Sequence, residues 1–311
     1  METDAKIYVA GHRGMVGSAI VRRLKQDGCH NLLLRTSSEV DLRDQAAVAT
    51  LFAAERPDYI FLAAAKVGGI MANKTYKADF IYDNLMIQTN IIHQAWRCGA
   101  KKLLFLGSSC IYPKISPQPI REDYLLSGHL EPTNDAYAMA KITGIQMCRA
   151  YREQHGCNFI SAMPTNLYGP NDNYDPQNSH VLPALLRKFH LAKEQNLDAV
   201  EIWGTGSPKR EFLHVDDLAD ACTFMMQHYN GANWVNVGTG LDCSIRELAE
   251  TIQRTVGFQG ALTFDTGKPD GAPRKLLNVD QLANLGWRFG IGLDAGIASV
   301  YKHAVAAGAL I

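Results

Sequence analysis

The stretch Ile7-Tyr8-Val9-Ala10-Gly11-His12-Arg13-Gly14-Met15-Val16-Gly17 decides the fold. Four consecutive residues of apolar character read as a strand buried on both faces, as strands of a parallel sheet are. Glycines follow at 11, 14 and 17, in the spacing G-x-x-G-x-x-G, and helical spacing sets in at Ala19, Ile20 and Leu24. Glycines at such a junction let the chain turn sharply, approach a pyrophosphate and pack helix against strand, while the helix N-terminus faces the anion. A glycine triplet alone is a weak signal. Between a strand and a helix, at the head of a β-α-β run, it is specific for a dinucleotide.

Working outward, β-rich runs at 6–10, 31–35, 59–62, 101–106 and 159–163 alternate with helical spacing at 17–27, 84–96 and 135–155. That alternation predicts an α/β chain with a Rossmann-type, doubly wound parallel sheet. Residues 1–170 form the dinucleotide-binding domain in this reading, with later segments also entering the sheet. Beyond Pro170 the rhythm loosens: a polar loop at 171–179, a helix at 181–195, strands at 199–203, 211–215 and 234–237, and a helix from Asp216. Ser244 and Glu247 form a capping box that opens a helix over 244–255. Residues 171–311 are read as a smaller C-terminal α+β domain, mainly substrate-binding.

Composition removes several classes of function. Among 311 residues, 31 basic and 31 acidic side chains cancel, and 47% are hydrophobic. Disorder requires the opposite balance. The longest basic runs, Arg22-Arg23 and Lys101-Lys102, are too short for a nucleic-acid stripe. No apolar stretch approaches the roughly 20 residues of a membrane span, and the first residues carry no secretory pattern. Seven cysteines without a Cys-x-x-Cys pair point to reduced thiols in the cytoplasm, with neither disulfides nor metal to staple the core.

The end of the second strand selects the cofactor. An acidic residue there would bind ribose hydroxyls and repel a 2′-phosphate. Here the chain reads Arg35-Thr36-Ser37-Ser38, with no carboxylate before Glu39, and Arg13 sits in the glycine loop. Guanidinium groups suit a phosphate, which favours NADP(H). The fourth strand then ends in Gly107-Ser108-Ser109-Cys110, at the sheet edge where ligands bind. Tyr137 and Lys141 lie one helical turn apart. A phenol beside an ammonium is expected to titrate closer to neutrality and to exchange a proton with a carbonyl or alcohol oxygen that Ser108 also holds.

Gly11–Gly17, Ser108, Tyr137 and Lys141 resemble the extended short-chain dehydrogenase/reductases that act on nucleotide-activated sugars. Further segments narrow the resemblance: Ala63-Ala64-Ala65-Lys66-Val67-Gly68-Gly69-Ile70, Gly107-Ser108-Ser109-Cys110-Ile111-Tyr112-Pro113 and Met163-Pro164-Thr165-Asn166-Leu167-Tyr168-Gly169-Pro170. Asn178-Ser179-His180-Val181, Arg210-Glu211-Phe212-Leu213-His214-Val215-Asp216-Asp217 and Lys268-Pro269-Asp270-Gly271 continue it. Almost end to end, the chain is similar to the GDP-L-fucose synthase family. Its members epimerise GDP-4-keto-6-deoxy-D-mannose at carbons 3 and 5 and reduce the 4-keto group with NADPH.

That resemblance implies roles residue by residue. Cys110 would be the base that removes protons beside the ketone, and His180 the acid that returns them from the other face. Gly11, Arg13, Gly14, Met15, Val16, Gly17, Asp41, Leu42, Ala64, Ala65, Leu106, Lys141, Pro164, Asn166, Leu167 and His180 would line the cofactor, with Asp41 and Leu42 at the adenine and Asn166 and Leu167 at the nicotinamide. Lys188, Trp203, Arg210 and Asp270 would hold the GDP-sugar, the cations on the diphosphate and Asp270 on guanine. A homodimer through the helices around 84–96 and 135–155 is implied as well. One departure stands out: Ser37 occupies a place that is basic in bacterial family members, leaving Arg13 most of the 2′-phosphate discrimination. His214 is read as structural. The rival enzyme is a GDP-colitose synthase type that epimerises only at carbon 5; the rival of another class is a non-catalytic NADP-binding regulator.

Overall fold

The structure, a computed structural model, describes residues 1–176, 178–268 and 270–311. The first half runs β1 (Ile7–Ala10), α1 (Met15–Gln26), β2 (Leu32–Leu33), α2 (Gln45–Glu55), β3 (Tyr59–Leu62), α3 (Ile70–Thr75), α4 (Lys77–Arg97), β4 (Lys102–Leu106), α5 (Asp135–His155), β5 (Phe159–Pro164) and β6 (Asn166–Tyr168). The second runs α6 (Val181–Glu194), β7 (Ala199–Trp203), β8 (Lys209–His214), α7 (Val215–His228), β9 (Val235–Val237), β10 (Asp242–Ser244), α8 (Ile245–Val256), β11 (Ala261–Asp265), β12 (Arg274–Lys275), α9 (Asp280–Asn284) and α10 (Leu293–Ala306).

The main sheet is six-stranded, in the order β2-β1-β3-β4-β5-β9. Every pairing in it is parallel. β1, β3, β4 and β5 are buried along their whole length, the consequence of helices on both faces. α1 and α7 pack on one face, whose core includes Ile7, Val9, Leu24, Leu218 and Met225. α2, α4 and α5 cover the other, with Tyr8, Phe52, Ile91, Phe105 and Ile145. The chain leaves β1 for β2 on one side and returns to β3 on the other. The crevice above this reversal is where ligands of open α/β sheets bind.

α1 starts two residues earlier than the spacing suggests, because Gly14 is extended and already serves as its N-cap. β2 shrinks from the expected five residues to two. α2 is a helix that hydrophobic spacing does not single out, and it is capped by Asp44, whose carboxylate accepts from the amides of Ala46 and Ala47. α5 has the expected bounds, closed by Gly156 in the left-handed region. The capping box of Ser244 and Glu247 is formed.

A separate core holds the rest: Leu185, Leu186 and Phe189 of α6, Leu248 and Ile252 of α8, and Ile297 and Val300 of α10, packed on Tyr168, Val200 and Phe212. β8 is the hinge of this region. It pairs in parallel with β6 and β12 and antiparallel with β10. Its Glu211 is fully buried. The carboxylate accepts backbone N–H groups from Thr239 (2.6 Å), Gly240 (2.8 Å) and Leu277 (2.9 Å), with no cation beside it among the described residues. Its main-chain carbonyl accepts from Asn166 Nδ2 at 2.8 Å. Lys102 plays the matching role on the main sheet: its buried ammonium donates to the carbonyls of Met225, Met226 and Tyr229, closing the C-terminus of α7.

Glu211→Gln places an amide N–H against backbone donors that now share a carboxylate. The substitution is expected to lower the free energy of unfolding by about 2–4 kcal/mol, the cost of stranding buried donors. A urea titration reads this as a lower midpoint with an unchanged slope; an unmoved midpoint would refute it.

Candidate active site

One continuous cleft of about 2010 Å³ crosses the C-terminal edge of the main sheet and passes between it and the second core. Its floor at the sheet is built by the glycine loop. Gly11 has φ +84°, and a Cβ there would lie 2.7 Å from the Ala64 nitrogen. A Cβ on Gly17 would strike the Gly11 carbonyl at 2.1 Å. These two glycines are demanded by the protein's own packing of β1, α1 and the strand-three loop. Gly14 is different: its Cβ would meet only the Gly11 oxygen at an ordinary 3.5 Å. Openness at Gly14 therefore serves an approaching ligand. The first helical bond of α1 runs from Ser18 to Gly14, so the amides of Met15, Val16 and Gly17 remain free to hold a diphosphate.

Nearly all the residues singled out from sequence line this cleft: Gly11, Gly14, Met15, Val16, Gly17, Asp41, Leu42, Ala64, Ala65, Leu106, Ser108, Cys110, Tyr137, Lys141, Pro164, Asn166, Leu167, His180, Lys188, Trp203, Arg210 and Asp270. Arg13 alone does not. It stands exposed beside the glycine loop. Arg35 does line the cleft, yet its guanidinium donates to Glu55 at 2.8 Å. Asp41 is likewise engaged, gripped by Arg43 at 2.8 and 3.0 Å.

The proton-transfer group sits at the end of β4. Ser108 caps a short 3-10 turn over Ser109–Ile111, its hydroxyl accepting the Cys110 amide at 3.2 Å. Tyr137, on the first turn of α5, is half-buried against the cleft, and desolvation drives its phenol well above the usual tyrosine range. The neighbouring Cys110 adds to the rise and a hydrogen bond from Ser108 opposes it. Lys141 is 4% exposed and donates to the Leu106 carbonyl at 2.8 Å. Burial draws its ammonium down to about 7. The expected shift of Tyr137 toward neutrality is therefore reversed in the protein alone. Removing both groups from water disfavours their charged forms more than their mutual attraction can restore. The phenol is a proton donor at neutral pH.

The opposite wall comes from the second core. His180, exposed at the cleft wall, is the N-cap residue of α6, and partial desolvation there shifts its pKa downward. His180, Ala184, Arg187, Lys188 and Leu191 share the cleft-facing side of α6, while Leu186 and Phe189 fill the core behind and Leu182 and Leu185 border both. Lys188 donates to the Glu201 carbonyl of β7. Arg187, absent from the sequence reading, lines the cleft and donates to the Tyr174 carbonyl at 3.1 Å. Trp203 is 63% exposed, with Lys268 5.4 Å above its ring. Both Asp270 oxygens accept from Thr205, its amide at 2.7 Å and its hydroxyl at 2.8 Å, so this carboxylate first of all fixes the turn after β7. Pro269 of the same motif lies outside the described residues. His214 is the N-cap of α7, its Nδ1 accepting the Asp216 amide at 3.2 Å.

The charge state of Lys141 has a readable consequence. Its folded value, about 7, lies below the ~10.4 of an unfolded lysine, so between these pH values the unfolded chain carries a proton that the folded chain lacks, and stability rises with pH. From pH 7 to 9.5 the group should contribute a gain of about 3 kcal/mol. Lys141→Met is expected to abolish that gain; equal pH slopes of the urea midpoint in parent and variant would refute it.

Residues 7–238 match the NAD dependent epimerase/dehydratase family. A GDP-L-fucose synthase of Arabidopsis thaliana is 60% identical, covering 96% of this chain and 93% of its own. The GDP-L-fucose synthase of Escherichia coli is 56% identical over 96% and 95%. The GDP-L-colitose synthase of Yersinia pseudotuberculosis stands further off, at 36% over 96% and 97%. Among solved structures, a GDP-mannoheptose C4 reductase from Campylobacter jejuni with NADP bound superposes with a TM-score of 0.91 at 43% identity, covering 98% of this chain and 99% of its own. A GDP-6-OMe-4-keto-L-xylo-heptose reductase from the same organism gives 0.94 at 41%, with 99% of each chain covered. By matched extent and identity alike, this chain belongs to the NAD dependent epimerase/dehydratase family.

Proposed function

We propose that this protein converts GDP-4-keto-6-deoxy-D-mannose to GDP-L-fucose, epimerising carbons 3 and 5 and then reducing the 4-keto group with NADPH. The observation that carries the reading is the thiol of Cys110 beside the half-buried, cleft-lining Tyr137–Ser108 pair. A simple reductase has no use for a base there. The substrate name rests on the GDP-L-fucose synthases at 56–60% identity.

The cofactor fits the site on its own terms. Free amides at the head of α1 and the open side of Gly14 suit its diphosphate, and the exposed Arg13 beside the glycine loop is the proposed partner of a 2′-phosphate. NADPH supplies, when bound, the hydride for the 4-keto carbon. The chain's own residues do the rest. Tyr137 and Ser108 hold the ketone oxygen, which also stabilises the enolate formed when a neighbouring carbon loses its proton. Cys110 takes that proton and His180 returns one from the opposite wall. Once epimerisation is complete, the neutral Tyr137 phenol gives its proton to the oxygen that becomes the 4-hydroxyl. Lys188 and Arg210, which line the cleft, would take the substrate diphosphate, and the exposed face of Trp203 would take guanine. We further propose a cytoplasmic homodimer. Tyr82 of α4 and Met139 of α5 are exposed, and Met86, Trp96 and Met147 are only part-buried, which leaves a second apolar face on that helix pair.

A second reading, C4 reduction of a GDP-heptose without epimerisation, follows from the Campylobacter reductases at 41–43% identity. A single assay in deuterated water separates the readings. With GDP-4-keto-6-deoxy-mannose and NADPH, nicotinamide oxidation with deuterium at carbons 3 and 5 is expected. Deuterium at carbon 5 alone points to a colitose-type enzyme, and oxidation without deuterium to a plain reductase. Cys110→Ser is expected to abolish exchange and spare NADPH binding; undiminished exchange removes Cys110 from the mechanism. Arg13→Ala should weaken NADPH by about 1.5–3 kcal/mol, one charged hydrogen bond, and leave NADH nearly unchanged. Equal losses for the two nucleotides would place the 2′-phosphate elsewhere.

A further inference from the structure

Cysteine is a poor base as a thiol; only the thiolate takes a proton from carbon, and a nearby cation is one of the ways a fold favours it. The cleft contains several cations, but most are committed. Lys141 is spent on the Leu106 carbonyl and is itself drawn toward neutrality. Lys188 donates to the Glu201 carbonyl. Arg210 donates to the carbonyl of Lys209. Lys275 is the exception. Its Nζ lies 3.8 Å from Cys110 Sγ, and among the described residues it has no other hydrogen-bond or ion-pair partner.

Lys275 is also held from several sides. β12 pairs with β8, setting Lys275 opposite Arg210. The next residue, Leu276, donates its amide to Gln118 Oε1 at 2.9 Å and accepts at its carbonyl from the Ile120 amide at 2.7 Å. One residue further, the Leu277 amide is bound by the buried Glu211 carboxylate. The 3-10 turn carrying Cys110 is fixed in turn by Ser108. Two rigid anchors 165 residues apart in sequence thus bring one ammonium to one sulfur.

We propose that Lys275 is the positioning cation of the epimerase step: it stays protonated, pairs with the Cys110 thiolate and aims it at the carbons beside the ketone. In that step the sulfur lone pair takes the proton. The C–H electron pair becomes the enolate held by Tyr137 and Ser108, and the sulfur leaves the step as a neutral thiol. Lys275 neither gains nor loses a proton. This inference rests on the reading of Cys110 as the base.

The test uses the full-length enzyme and the variants Lys275→Met and Lys275→Arg, with two readouts. The first is carboxamidomethylation of Cys110 by iodoacetamide at pH 7, followed by peptide mass. The second is solvent deuterium entering carbons 3 and 5. Lys275→Met should slow alkylation about tenfold and lower kcat for exchange 10- to 100-fold, with KM for the GDP-sugar within about threefold and NADPH binding retained. Lys275→Arg, which keeps the charge and checks the fold, should recover most of both. Unchanged alkylation in Lys275→Met overturns the proposal, as does slowed alkylation with normal exchange. A rise in KM at constant kcat also overturns it, since Lys275 would then only hold substrate. Failure of the underlying reading looks different: Cys110→Ser itself would keep full exchange, whatever Lys275 does to alkylation.

Discussion

The buried carboxylate of Glu211 is the constraint on which the second half of the cleft depends. An ionised side chain with no exposure and no counter-ion is costly unless its lone pairs are filled. Here backbone amides fill them, drawn from the turn after β9 and from the segment after β12. Neighbouring residues on a strand point to opposite faces. Glu211 therefore looks into these turns while Arg210 and Phe212, on either side of it, line the cleft. The same residue that stitches β8, β9 and β12 together sets the register in which Lys275 stands beside Arg210. The position of the positive charge in the cleft is thus a by-product of satisfying one negative charge outside it.

The other organising element is α6. Its N-terminus carries His180, the proposed acid, and two turns later it carries Arg187 and Lys188 on the same side. The proposed anion-binding and proton-returning groups thus belong to one helix. Arg187 extends this to the preceding loop by holding the Tyr174 carbonyl. Binding energy from the unreactive part of a nucleotide-sugar can thereby be used to orient the group that acts on its ring.

The sequence disclosed features that are local and missed those that are not. The path from β1 through the glycine loop to α1 was legible because a doubly buried strand must be apolar and the tight turn at Gly11 must be glycine. α5 was legible to the residue, since Gly156 ends it and Tyr137 and Lys141 mark its face. α2 was not: Gln45–Glu55 is alanine-rich on all sides and has no apolar stripe to read, although its Asp44 cap was visible in principle. The motif residues other than Arg13 line one cleft. Lys275 escaped because Arg274-Lys275 on a two-residue strand carries no pattern, and its meaning comes only from a sulfur 165 positions away. Asp41 and Asp270 were legible as acids near the ligand, but not their prior commitments to Arg43 and Thr205.

The opposite pulls on Tyr137 and Lys141, one raised and one lowered by burial, would let the proposed oxygen-binding site serve two chemistries. In the first, the ketone must stay a ketone while negative charge comes and goes on its oxygen; a neutral phenol and a hydroxyl stabilise that charge as donors without surrendering a proton outright. In the second, the oxygen acquires a full negative charge as the carbonyl is reduced, and then the phenol's proton can follow. A Tyr137 already ionised at rest would repel the enolate and have no proton to give. Burial, by holding the phenol neutral and keeping Lys141 near the edge of its own titration, leaves the pair ready to change state only when charge arrives in the cleft. The proposed base follows the same logic: Cys110 is the cleft thiol beside which the fold has fixed an otherwise uncommitted ammonium.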